Sequence, residues 1–236
     1  MLEIKDFTKI YPNGKIGAEK INLKIEKGDI FAFIGHNGAG KTTTIKSIVG
    51  INDITNGDIT IDGISIKDNP LEFKKQIAYI PDNPDIYTQL TGIQYINFIA
   101  DIFKVPQQER KEKIEKYAKL LEIYKDLNTV IGNYSHGMKQ KLTLISAFVH
   151  NPKVLILDEP FVGLDPKASF IVKDIMKEFA KNGGAIFFST HVLEVAEKLC
   201  NKVAIIKDGK IIANGTMSTI KKDKSLEKVF METANE

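Results

Sequence analysis

The 236 residues contain no tryptophan and a single cysteine, Cys200, so an intramolecular disulfide is excluded and a reducing compartment is expected. No apolar run approaches the roughly 20 residues needed to cross a bilayer, so the chain is not expected to span a membrane by itself. The N-terminus, MLEIKDFTKIY, mixes charged and apolar residues and lacks the apolar core of a signal peptide. Charge of one sign is also lacking, since 33 Lys and Arg face 30 Asp and Glu, a net +3. The basic clusters, such as Arg110, Lys111 and Lys113, read as solvated helix faces, and no nucleic-acid partner is expected. Internal repeats and low-complexity segments are absent too. What remains is an ordinary globular balance, 43% hydrophobic and 27% charged.

Periodicity organises the chain. Up to about Gly28 it reads as strands around a turn at Asn13-Gly14, and the alternation Ile21, Leu23, Ile25 marks a half-buried strand. Residues 30–34 are continuously apolar, as in a strand covered on both faces. A helix is expected over 42–49, and the pairs Asn56-Gly57 and Asp62-Gly63 bracket a small β-meander. After a short strand at 77–80 come three helices in succession. The first is capped by Thr91, the second follows Pro106, and the third is capped by Ser135 and ends before Pro152. Strands at 154–157, 185–188 and 203–206 then alternate with helices near 167–181 and 192–199. Asp208-Gly209 turns a last hairpin, and the tail from Thr216 reads as helical and polar. The expected division is an α/β core with a β subdomain (1–83 and 151–215), an inserted helical subdomain (84–150) and a tail (216–236).

Three stretches carry chemistry. GHNGAGKT at 35–42 matches G-x-x-x-x-G-K-[ST], a pattern met by chance roughly once in a hundred chains of this length. Here a strand precedes it and a helix follows. Gly35, Gly38 and Gly40 let the backbone aim N–H groups at an anion, and the helix adds its positive end. Lys41 is placed to reach β- and γ-phosphates and the Thr42 hydroxyl to coordinate Mg²⁺. His36, Asn37, Ala39 and Thr43 complete the expected nucleotide contacts. In VLILDEP at 154–160 a buried strand ends in two carboxylates at the edge where α/β sheets hold ligands. Asp158 is the candidate Mg²⁺ ligand and Glu159 the group that polarises the attacking water. FFSTH at 187–191 ends another strand in His191, a candidate γ-phosphate contact.

Together these motifs resemble those of the ATP-binding cassette ATPases, over nearly the whole chain and in the family's order. YSHGMKQK at 134–141 is similar to the family signature, Gly163-Leu164-Asp165 to its D-loop, and His191 to its switch histidine. Tyr11 resembles the aromatic that stacks on adenine; a strand-end core aromatic is the other reading. The resemblance implies a P-loop NTPase (RecA-like) core with an antiparallel β subdomain and an inserted α-helical subdomain. It also implies ATP and Mg²⁺ as cofactors, and a head-to-tail dimer in which Ser135 and Gly137 of one subunit face the phosphate loop of the other. A separate multi-helix permease, docking near residues 82–95, would hold the cassette at the cytoplasmic face of the membrane. Two departures stand out. His136 replaces the first glycine of the signature, and Asp82 takes the place of the Q-loop glutamine, acceptor-only but still able to hold Mg²⁺ or water. Asp82 with YSxGM resembles bacterial export-type cassettes, including drug, bacteriocin and lantibiotic self-protection systems. The rival roles are a soluble ATPase of a cofactor-assembly system, a ribosome-associated cassette, and a nucleotide-binding structural protein without turnover.

Overall fold

The computed structural model describes residues 1–84 and 86–235. Strands β1 (Leu2–Ile10) and β2 (Ile16–Ile25) pair antiparallel across a turn at 12–14. Then come β3 (Ile30–Ile34), α1 (Lys41–Ile48), β4 (Asn56–Ile61), β5 (Ile64–Ser65), α2 (Pro70–Lys74) and β6 (Ile77–Ile80). Helices α3 (Gly92–Ile102), α4 (Gln107–Leu120) and α5 (His136–Val149) follow. After them come β7 (Val154–Asp158), α6 (Pro166–Lys181), β8 (Ala185–Thr190), α7 (Leu193–Leu199), β9 (Lys202–Lys207) and β10 (Lys210–Thr216). The described chain closes on α8 (Met217–Lys221) and α9 (Leu226–Asn235).

Two sheets form. One is antiparallel, in the order β2-β1-β4-β5; the other runs β10-β9-β3-β8-β7-β6, parallel except for the β9–β10 hairpin. Strand β3 is apolar throughout because both its faces are covered. Phe31 and Phe33 pack with Ile21, Ile45 and Phe187 between the sheets, while Ala32 and Ile34 join Leu157 and Phe188 on the helical side. Burying each phenylalanine fully contributes about 1.5–3 kcal/mol. In β1 and β4, Leu2, Ile4, Ile59 and Ile61 point inward while Lys5 stays exposed, the alternation of a sheet with one wet face.

The helices start where their caps dictate. Thr91 Oγ1 accepts from Gln94 N, and Gln94 Oε1 accepts from Thr91 N, a reciprocal capping box that satisfies two otherwise orphaned donors. Ser135 caps α5, and Asp165 caps α6 with Pro166 at its first position. Ion pairs Lys116–Glu178 and Lys167–Glu122 tie α4 and its C-terminal end to α6.

Two expectations need correction, and one element was not anticipated. Asn56-Gly57 does not precede the meander strand; it lies inside β4. Gly57, at φ 81°, faces the irregular pairing with β1, and a Cβ there would meet the Lys5 carbonyl at 2.3 Å. The pair therefore makes a bulge-like crossing rather than a hairpin turn. Helix α2 had no expectation, because five residues after Asn69-Pro70 are too few to show a period. The tail is amphipathic rather than plainly polar: Leu226 and Phe230 are buried and Val229 packs on the same core. Among the described residues no helix is long and apolar enough to cross a membrane.

Candidate functional site

Parallel register assembles the site. Ile34 at the end of β3 pairs with Thr190, Ser189 pairs with Asp158, and Leu157 pairs with Ile80. The last residues of four adjacent strands thus share one sheet edge, above which the 35–40 loop runs into α1. Two of its glycines are fixed by geometry. A Cβ on Gly35 would stand 2.5 Å from the Ile206 carbonyl, and Gly40 combines φ 111° with a would-be contact of 2.5 Å to the Gly17 carbonyl. Helix α1 then begins at Lys41, which puts its positive end at the loop.

Lys41 is almost fully buried, and its Nζ donates to the carbonyls of Gly35 at 2.7 Å and His36 at 3.2 Å. Burial lowers its pKa, and the negative charges of Glu159 and Asp158 oppose that shift. Asp158 is 2% exposed. One of its oxygens, Oδ1, accepts a short hydrogen bond from Ser189 Oγ. The other, Oδ2, is buried and has no protein partner. A buried carboxylate oxygen left without a donor is costly, and a cation beside it would remove that cost. Glu159, next along the chain, sits in left-handed backbone at φ 48°, a strained conformation for a bulky residue. Its N–H reaches both Ser189 O and Ser189 Oγ at 3.3 Å. Its Oε1 lies 2.8 Å from His191 Nδ1, with the ring largely exposed and the carboxylate mostly buried.

Lys41, Asp158 and Glu159 line a cleft of about 480 Å³ that also includes Asn37, Gly38, Gly40, Thr42, Thr43, Asp82 and Tyr11. The Tyr11 hydroxyl lies 3.0 Å from Thr43 Oγ1, and its ring edge runs beside Gly17, where a Cβ would come within 2.7 Å. Tyr11 is therefore at the cleft rim rather than in the core. Asp82 is exposed, with Oδ1 accepting from Asn83 N at 2.8 Å. Gly35, His36, Ala39 and His191 do not line it. Ala39 is buried between the sheets, and the His36 ring turns outward onto Phe230.

Residues 18–162, more than half of the chain, match the family described as ABC transporter. The chain belongs to this family. It is an ATP-binding subunit, a cassette ATPase. It is 32% identical to the ABC-type transporter ATP-binding protein EcsA of Bacillus subtilis, over 100% of this chain and 97% of that one. It is 34% identical to the SkfA peptide export ATP-binding protein SkfE of the same organism, over 90% and 87%. A solved structure described as the ATP binding subunit of an ABC transporter superposes with a TM-score of 0.95 at 33% identity, covering 99% of each chain.

Within the cassette, Ser135 and Gly137 stand outside the cleft. The Ser135 hydroxyl accepts from Met138 N, and a Cβ on Gly137 would come within 2.8 Å of the Gly163 carbonyl. The His136 ring lies against Gly163, 2.2 Å from where a Cβ would be, so the stretches at 134–141 and 163–165 pack together. Sequence reasoning did not single out Ser189, which touches both Asp158 and Glu159. Its signal was the small hydroxyl ending a strand beside VLILD. Lys15, Ile16 and Gly17 also line the cleft, and no motif marked them.

Proposed function

We propose that this subunit powers an exporter by closing on ATP against a second cassette, with Glu159 polarising the attacking water. The observation that carries this reading is the Glu159–His191 contact of 2.8 Å at the rim of the cleft that holds Lys41 and Asp158. If Nδ1–H donates to the carboxylate, the pair fixes both the carboxylate orientation and the imidazole tautomer, leaving Nε2 free for a phosphate oxygen. Glu159 then draws on the proton of a water whose oxygen attacks the γ-phosphorus. The bond to the bridging oxygen breaks, and ADP and phosphate leave. Lys41 supplies positive charge to the phosphates, and the Gly38 and Gly40 turns let backbone N–H groups face them.

Mg²⁺ suits the residues present. Asp158 Oδ2 needs a positive partner, and Thr42 and Asp82 offer further oxygens in the same cleft. Among the described residues no group of three or more His, Cys, Asp or Glu is arranged to hold a metal. When bound, it would neutralise charge on the phosphates.

We read residues 1–83 with 151–215 as the nucleotide-binding part with its β subdomain, 84–150 as the helical signature subdomain, and 216–236 as a tail. The expected docking loop at 82–95 includes Asp85, which lies outside the described residues. Tyr87 in this loop and Phe98 and Ile102 on α3 are exposed, with Tyr87 and Phe98 edge to face at 5.6 Å, around a groove of about 560 Å³. An exposed apolar groove of this kind suits a short helix of a membrane partner, which would hold the subunit at the cytoplasmic face. Export is favoured by the name of SkfE. The test is a pull-down of ATP-loaded Glu159→Gln protein from detergent-solubilised membranes. A multi-helix membrane protein in near-equal amount supports the proposal; a soluble assembly scaffold or ribosomal material overturns it.

A further inference from the structure

The tail helix α9 touches the phosphate loop. Phe230 is 8% exposed and its ring centroid lies 4.7 Å from that of His36, with the planes tilted by 54°. His36 faces two ways: its ring meets Phe230, while its carbonyl accepts from Lys41 Nζ at 3.2 Å and from Ala39 N at 3.1 Å. The other end of α9 is fixed to α7. Glu197 on α7 pairs with Lys221 through one carboxylate oxygen, and the other accepts from Leu226 N at 2.9 Å, with Leu226 fully buried. Helix α7 in turn starts two residues after His191, the partner of Glu159. One short helix is thus held at its start by the helix that follows the switch histidine, and packs at its middle on the loop that carries Lys41.

We propose that Phe230 is a positioning residue for ATP binding, holding His36 and through it the Gly35–Gly40 turn and Lys41 in register with the switch segment. The tail is then part of the nucleotide site's support rather than an appendage. An aromatic contact of this kind, beyond its area burial, is worth a factor of about 2 to 10 in an equilibrium constant. It acts on the loop that binds phosphate rather than on the Glu159 chemistry.

The inference rests on the 35–42 loop being the ATP site, and the experiment separates the two. ATP affinity, KM and kcat are measured on the full chain for wild type, Phe230→Ala, Phe230→Tyr, His36→Ala and the double variant, with Met231→Ala as an exposed control on the same helix. Phe230→Ala is expected to weaken ATP binding and raise KM about 2- to 10-fold with kcat nearly unchanged. Phe230→Tyr restores the wild-type value, and the double variant is no worse than His36→Ala alone. Equal effects of Phe230→Ala with and without His36 would overturn the inference, as would a loss confined to thermal stability with KM unchanged. If wild type itself bound no ATP, or Lys41→Ala bound it as well as wild type, the reading of the loop would fail instead.

Discussion

At the scale of single residues, Ser189 and His150 show how burial makes ordinary side chains consequential. Ser189 donates to the Asp158 carboxylate and accepts from the Glu159 N–H, so one hydroxyl ties the Asp158 side chain to the Glu159 backbone. Ser189→Ala is expected to lower Mg²⁺-dependent phosphate release about 10-fold, the usual size for a group that orients a metal ligand. A steady-state assay across Mg²⁺ concentrations checks it, and an unchanged rate and Mg²⁺ dependence would refute it. His150 stacks on Phe103 at 3.7 Å, and its Nδ1 is buried without a partner. Burial, helped by the charge of Lys113, pushes its pKa down from 6.5 to about 4. Below pH 6.5 the unfolded chain takes up this proton while the folded chain does not until about pH 4. Stability is therefore lost as pH falls through that window, by about 1–2 kcal/mol after discounting for partial exposure. His150→Phe should keep the stack and flatten that slope in urea unfolding. The phosphate loop and the Asp-Glu pair were legible in the sequence because their spacing is itself the chemistry. Ser189 was less so, because its role exists only through the register of β8 against β7.

At the scale of elements, conflicts between local signals and tertiary contacts explain the misreadings. Thr91, Ser135 and the 30–34 run made α3, α5 and β3 legible, since a cap or an unbroken apolar strand is a local property. Asn56-Gly57 carried a turn signal, but its glycine serves the crossing of β4 over β1. Gly57→Ala is expected to cost about 1–3 kcal/mol or more, because the left-handed strain is joined by a backbone contact at 2.3 Å. Gly63→Ala, at nearly the same φ of 82° but with open space around it, should cost only about 1–2 kcal/mol. Thermal unfolding of the two variants side by side tests the difference, and equal losses would show that the contact is relieved by a small shift. Helix α9 was under-read because its apolar positions, 226, 229 and 230, are few and stand among charges.

At the scale of the whole molecule, the features that exceed one chain are the ones sequence and monomer geometry describe least directly. Ser135 and Gly137 stand away from the cleft of their own subunit, and in the proposed dimer they would face the phosphate loop of another copy. The proposed closure would shift a population toward the state that binds ATP better, and hydrolysis would remove the ligand that holds it. The most direct test is light scattering of Glu159→Gln protein with ATP and Mg²⁺, with bound nucleotide counted. A species of twice the monomer mass carrying two ATP molecules and turning over at least about 100-fold slower than wild type is the predicted result. A monomer that hydrolyses ATP at the wild-type rate would contradict the account.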